Sequence, residues 1–380
     1  MTIIKTDQEI LDFVRGCTFM GTGGGGDPRV GVAWLKAARD EGIEIAWVSR
    51  EEISDEAWTV CPFLMGSIAP LTDEAKQRMQ HLGLTKEAYK SIQAESVKLL
   101  EEYMGLKIGA IVAIELGGSN TAGAVVAAAR LGIPAVDGDY TGRAIPEIPQ
   151  TTPYLNDLPL WPISSVDSYG NLCVIKESVG YEMAERIGKF LAAASFGLAA
   201  QAGFLFKGDA MKWAVIPGTL SNCLRIGRTI REAKEEGRDP VKEIVSELNG
   251  WLLFEGEVSK KEWEDKEGYY WGTHTVSGQK GFSGSEFKIW FKNENHVSWL
   301  NGEPFVTSPD MLIVVNRKTG EPYANSAIEE GQHVAVIGLP AIDQFRSPKG
   351  IDILGPKHFG YDIEYTPIEN LVGKRQQGER

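Results

Sequence analysis

Apolar and polar positions alternate along this chain in two distinct rhythms, and the rhythm changes at Trp251. Thr6 and Glu9 form a T-x-x-E capping box, and Ile10, Leu11, Phe13 and Val14 follow at helical spacing. The pattern predicts a helix ending near Gly16. After a run of glycines, Asp27 reads as an N-cap, Pro28 as the first helical residue and Gly42 as the stop of a second helix. "IEIAWVS" and "WTVCPFLMG" read as strands. Thr85 to Gly105 reads as a longer helix. "IGAIVAIEL", from Ile108 to Leu116, is nearly all apolar, as expected of a central strand buried on both faces. An Ala-rich helix capped by Asn120 and ending at Gly132 leads to the strand "IPAVDGD", which predicts a βαβ crossover and parallel pairing.

The stretch "AIPEIPQTTPYLNDLPLWP" is too rich in proline for a helix and reads as a connection. Helices are expected at Tyr181 to Phe196, at Ser221 to Gly237 and in "DPVKEIVSELNG". From Trp251 the rhythm shortens to strands punctuated by turns: "WLLFEGEV", "GYYWGTHTV", "EFKIWFKNEN", "DMLIVVNRKTG" and "HVAVIGLP". The expected architecture is an α/β N-terminal domain, residues 1–168, with a largely parallel, Rossmann-like sheet. An α+β C-terminal domain, residues 169–380, follows and is β-rich after residue 250.

Composition narrows the function classes. With 380 residues and 43% hydrophobic content, the chain can bury a large core. Its 39 basic and 52 acidic residues leave a formal charge of −13, which argues against nucleic acid and anionic membranes as partners. The N-terminal segment is broken by Asp7, Gln8 and Glu9 and does not read as a signal peptide. No apolar run is long enough to span a bilayer. Four cysteines without a CxxC pair fit a reduced, cytoplasmic protein.

The candidate chemistry begins at "GTGGGGDP". A phosphate-binding P-loop requires a lysine that this run lacks, and a dinucleotide fingerprint requires a preceding strand where the pattern gives a helix. Asp27 would also oppose a phosphate at the helix start. No nucleotide cofactor is therefore expected. Gly23, Gly24, Gly25 and Gly26, with Asp27, read instead as a backbone-amide nest for a substrate oxygen or sulfur. Close packing under another chain segment is the structural alternative. Glu115, Gly118 and Asn120 leave one predicted strand at its carboxyl end, and Asp137 and Asp139 leave the next, where open sheets bind ligands. Asp137, Asp139 and Glu147 are the catalytic candidates, as general acid and base or as oxygen ligands of a divalent metal. Arg143 is the candidate clamp for an anionic substituent and Thr219 a further binding residue. The five histidines show no metal spacing. His274 reads as a surface-turn residue, and Cys17 and Cys223 as buried small hydrophobes.

Taken in order, "GTGGGGDP", "ELGGSN", "VDGDYTGRAIPE", "PGTLS" with "IGR", "PDMLIVVNRKTG" and "GPKHFGYDIEY" resemble the DUF917 family, described as S-methyl thiohydantoin desulfurase-like. The resemblance spans nearly the whole chain. It implies two domains and hydrolytic removal of sulfur from, or opening of, a small five-membered cyclic amide. It also implies association with hydantoinase/oxoprolinase-type proteins. The expected partners are thus a small-molecule substrate, a hydantoinase/oxoprolinase-like protein and further copies of this chain. The alternatives are an accessory subunit of such an enzyme and an ATP-using enzyme.

Overall fold

The computed structural model describes residues 1–66 and 71–378, for 374–378 the backbone alone. In chain order the strands are β1 (Thr2–Ile4), β2 (Ile45–Val48), β3 (Trp58–Gly66), β4 (Ile108–Ala113), β5 (Ala135–Asp139), β6 (Ile163–Asp167), β7 (Leu172–Ile175), β8 (Leu198–Lys207) and β9 (Ile216–Pro217). They continue with β10 (Trp251–Lys266), β11 (Tyr269–Gly278), β12 (Glu286–Lys292), β13 (Glu294–Leu300), β14 (Glu303–Thr307), β15 (Met311–Asn316) and β16 (His333–Leu339). The helices are α1 (Asp7–Met20), α2 (Pro28–Asp40), α3 (Asp73–His81), α4 (Ile92–Met104), α5 (Asn120–Leu131) and α6 (Thr152–Leu155). After them come α7 (Tyr181–Ala194), α8 (Gly208–Ala214), α9 (Thr219–Glu235), α10 (Pro240–Glu247), α11 (Pro348–Leu354) and α12 (Ile368–Gly378).

Among the described residues, one sheet has the order β1-β2-β5-β4-β3-β8-β6-β7, with β9 added to β5; the other is antiparallel, in the order β14-β13-β12-β11-β10-β16-β15. The protein is a two-domain α/β protein built on these two sheets. The first sheet is mixed. Parallel pairing is confined to β2 with β5, β5 with β4 and β4 with β3. Strand β8 pairs antiparallel with both β3 and β6, so a Rossmann-like sheet is not established. The βαβ crossover is present: β4 and β5 run parallel, joined by α5 and its left-handed Gly132 stop.

Strand β4 is buried on both faces, as its apolar run requires. Ile108, Ile111 and Ala113 join a core shared with α1, α9 and the strands β15 and β16. Ala110 and Val112 face the opposite core with Phe63, Tyr140 and Phe204. Helices α1 and α9 thus bridge the two sheets, packing Phe13 and Cys223 together with Ile313 and Ile337. Their crossing depends on glycine. A β-carbon at Gly16 would lie 1.7 Å from the Cys223 carbonyl oxygen, and one at Gly227 would lie 1.7 Å from that of Asp12.

That packing explains why α1 runs on to Met20 instead of ending near Gly16. Tertiary contact outweighs the local weakness of a mid-helix glycine. Other boundaries differ from the sequence pattern as well. Residues from Thr85 to Lys90 are not helical; Ser91 caps α4, accepting from the Ala94 amide at 3.2 Å. "EFKIWFKNEN" is not one strand but the whole of β12 and the first two residues of β13, because Asn293 turns the chain with φ +57°. His274 is not in a surface turn. It is buried in β11, stacked on Phe291 at 4.6 Å, with Nε2 3.1 Å from Asn325 Oδ1. Burial pulls its pKa down to about 3, so the ring is neutral.

Gly227→Ala should force the α1–α9 crossing apart and lower stability by about 1–3 kcal/mol, the usual cost of overpacking. Gly281→Ala, where a β-carbon meets nothing within 4 Å, should change little. Urea unfolding of the two variants checks this, and equal midpoints would contradict it.

Candidate functional site

A cavity of about 790 Å³ opens where the carboxyl ends of β3 and β4 meet the starts of α2 and α5 and the β12–β13 turn. Its size suits a small ligand. Gly25, Gly26 and Asp27 form part of its wall, and Glu115, Asn120 and Glu147 face it as well. The structure thus brings six of the expected residues to one place.

The glycine loop is closely packed and, among the described residues, also leaves two amides without an acceptor. Its backbone is pressed against other parts of the chain: a β-carbon at Gly24 would fall 1.8 Å from Glu294 Oε1, and one at Gly26 would fall 1.8 Å from Ser119 Oγ. Loop carbonyls are used as acceptors. Asn325 donates its amide to the Gly23 oxygen at 2.7 Å, and Ser119 and Asn120 donate theirs to the Gly25 oxygen at 3.1 and 3.2 Å. Among the described residues, however, the N–H groups of Gly25 and Gly26 have no acceptor, and both glycines border the cavity. Asp27 caps α2, accepting from the Arg29 amide at 2.8 Å, and pairs with the Arg29 side chain.

Glu115 follows β4 and is held at both oxygens. Oε1 accepts from Asn120 Nδ2 at 2.7 Å and Oε2 from the Ile145 amide at 2.8 Å. Asn120 is spent on this contact and on the Leu64 amide, so it does not cap α5. Burial pushes the pKa of Glu115 up to about 7 against those two hydrogen bonds, and the charge of Asp139 adds to the rise. Glu294 lies across from it on β13, 2% exposed. Its Oε2 is buried without a hydrogen-bond partner. Burial and then the Glu115 charge drive its pKa well above the usual carboxylate range, against the pull of Arg143 and Lys189. Two carboxyls that repel each other in a dry site divide their protons unequally, one staying a neutral acid while the other ionises.

Glu147 behaves differently. It accepts from Lys292 Nζ and, at 2.7 Å, from His358 Nε2. Burial would raise its pKa, but these two partners outweigh burial and hold it at about 2. It is a fixed anion. Glu185 and Lys189, on one face of α7, complete the cavity wall together with Asn293.

The remaining expected residues lie outside the cavity lining. Asp137 accepts from the amide and hydroxyl of Ser221 at 3.0 and 2.6 Å, fixing the start of α9. Asp139 Oδ2 closes a turn by accepting from the Thr141 and Gly142 amides at 2.9 and 2.7 Å. Burial raises its pKa to about 6. Thr219 is the first residue of α9. Gly23 and Gly24 are packed under Asn325 and Glu294, and Gly118 under Pro28. Arg143 offers no free clamp. It is 2% exposed, and donates from Nε to the Ala144 carbonyl, from Nη1 to that of Pro309, and from Nη2 to Thr22 Oγ1 and the Asn295 carbonyl, all within 3.0–3.1 Å. It ties the glycine loop to the second sheet. No group of three or more His, Cys, Asp and Glu side chains among the described residues is arranged to hold a metal ion.

Glu294, Lys189 and Glu185 were missed in the sequence. The signals were present but slight: a polar "KNEN" interrupting an apolar strand run, and an i,i+4 charged pair in register with the buried face of a helix.

A two-domain α/β fold enclosing a paired-carboxyl cavity defines the general class. The chain belongs to the S-Me-THD-like family: the model of that family's N-terminal domain matches residues 8–177 and that of its C-terminal domain residues 179–368. This agrees with the DUF917, S-methyl thiohydantoin desulfurase-like resemblance. A search of curated proteins gives no significant match. Among solved structures, the chain is similar to the crystal structure of a protein from Chromobacterium violaceum. The match has 20% identity and a TM-score of 0.79, and covers 97% of this chain and 100% of the other. That likeness speaks for the fold. No helix of the described residues is long and apolar enough to cross a membrane.

A carboxyl with a raised folded-state pKa binds its proton more tightly folded than unfolded, so it stabilises most at low pH. For Glu115 that contribution is complete below about pH 4.5 and is lost as pH rises through about 7. The urea midpoint should therefore fall over this interval, and Glu115→Gln should flatten the fall, most visibly above the Asp139 titration near about 6. Equal slopes for wild type and variant would show that Glu115 titrates normally.

Proposed function

We propose that this protein is a hydrolase acting on a small five-membered cyclic amide of the thiohydantoin type, releasing sulfur from the ring. The observation that carries the reading is the buried Glu115–Glu294 pair at one cavity, with a carboxyl oxygen of Glu294 left unpartnered, in a chain of the S-Me-THD-like family.

Hydrolysis of an S-alkyl thiohydantoin needs water delivered to the ring carbon that carries sulfur. It also needs a proton for the ring nitrogen double-bonded to that carbon. Glu115, titrating near about 7, is suited to take the proton from water. Glu294, biased to its neutral form, is suited to protonate the ring nitrogen. The tetrahedral adduct then expels its sulfur, which takes a proton and leaves as the thiol; the proton that Glu115 took from water supplies that equivalent, and Glu115 is ionised again. The hydroxyl proton of the adduct returns to Glu294, leaving a ring carbonyl. The unused amides of Gly25 and Gly26 are available to an oxygen or sulfur that becomes negative on the way. The cavity is larger than such a ring alone, leaving room for a substituent among Trp34, Phe63 and Met65.

Purified protein should release thiol and hydantoin from S-methyl thiohydantoins. Glu115→Gln and Glu294→Gln should each lower kcat by about 10²–10⁴-fold, the usual range for lost acid–base catalysis. Asp137→Asn should stay near wild type, and Asp139→Asn should lose stability before it loses turnover. A kcat that survives both glutamate changes but collapses in Asp137→Asn would return the base to Asp137. Absence of any turnover across the thiohydantoin and hydantoin panel would refute the hydrolase reading.

A further inference from the structure

Among the described residues, two cations line the cavity. Arg29 is exposed and already paired with Asp27. Lys189 is 9% exposed, one turn beyond Glu185 on α7. Its ammonium donates to the Gly66 carbonyl at 3.1 Å and to the Gly268 carbonyl at 3.3 Å, one at the end of β3 and one in the β10–β11 turn. The Tyr269 ring lies 4.0 Å away. An ammonium has three donors. Among the described residues, no third acceptor lies within hydrogen-bonding distance of it; Glu185 Oε1 is 3.9 Å away. The Glu185 oxygens are otherwise engaged, by the Tyr269 hydroxyl at 2.8 Å and the Ile148 amide at 2.9 Å. One N–H of a buried, wall-forming cation is therefore left for a ligand.

Resting on the hydrolase reading above, we propose that Lys189 is the catalytic residue that protonates the departing sulfur. An alkyl thiolate is a poorer leaving group than the neutral thiol. As the C–S bond breaks, its electron pair stays on sulfur and a proton moves from Lys189 Nζ to it, so the product leaves as a neutral thiol. The proton that Glu115 took from water restores the ammonium, and the cycle closes with water and thioether converted to carbonyl and thiol. Burial lowers the Lys189 pKa against the pull of Glu185, which eases the transfer. The two carbonyls and the aromatic face fix the position of Nζ without neutralising it.

The test compares one thiohydantoin ring carrying either an S-methyl group or an S-nitrophenyl group, the second leaving readily without a proton. Lys189→Met should lower kcat for the S-methyl compound by about 10²–10³-fold. The S-nitrophenyl compound should be far less affected, and added methylammonium should restore part of the S-methyl rate. Lys189→Arg, which keeps the charge but parts with no proton at working pH, should show the same split; it supplies the answer if Lys189→Met does not fold. Equal losses on both compounds would overturn the inference, since a residue that only holds the ring acts on both alike. Undiminished rates would overturn it as well. If wild type turns over neither compound, the hydrolase reading fails and this inference falls with it. A wild type active on both, with no leaving-group split in either variant, removes Lys189 alone.

Discussion

The structure depends on how closely the backbone from Gly23 to Gly26 approaches its neighbours. Side chains would not fit there: the space belongs to Ser119 of the first sheet's crossover and to Glu294 and Asn325 of the second domain. Because the loop carries no side chains, its carbonyls receive amides from both domains. Arg143, buried beside it, donates to Thr22 and to two carbonyls of the second domain. The loop is thus a seam. It fixes the position of Glu294, on β13, relative to Glu115, after β4, although the two are far apart in sequence.

The electrostatics follow from that seam. Glu115 and Glu294 are both buried at one cavity, and each ionisation makes the next harder. Arg143 and Lys189 supply compensating charge, but Arg143 is committed to neutral acceptors and forms no ion pair with either acid. Full pairing would have produced two inert salt bridges. Glu147 shows that outcome a short way along the wall: Lys292 and His358 hold it as an anion that no ordinary pH protonates. Carboxyls of one type therefore take opposite roles according to whether their neighbours complete their hydrogen bonding.

Much of the fold was legible because local and tertiary preferences agree. The T-x-x-E box, the Asp27–Pro28 start, the doubly buried β4 and the Gly132 stop all read correctly from spacing alone. Disagreement arose where packing overrides propensity. Gly16 reads as a helix end but is a contact point with α9. Asn293 reads as strand but is a turn. The same two causes limited the site. Glu115, Asn120 and the glycine loop lie next to turn signals that sequence reveals. Glu294 and Lys189 reach the cavity only through the approach of the second domain and the burial of one face of α7, and the local pattern hints at either event only slightly.

Burial by itself is a poor guide to which acid acts. Asp139 is as buried as Glu294, its pKa is raised, and its Oδ1 also lacks a partner. What separates them is position: Asp139 points its charge into a turn of its own chain, whereas Glu294 borders a space that a ligand can enter. An unpartnered polar atom in a closed interior is only a cost to folding. The same atom at a cavity becomes an incomplete coordination that a substrate completes, and part of the destabilisation is returned as binding or as transition-state stabilisation. The third N–H of Lys189 and the amides of Gly25 and Gly26 are incomplete in this sense. They converge with Glu115 and Glu294 on one volume. That convergence of unsatisfied donors and acids distinguishes this cavity from the crowded but satisfied cluster around Asp137.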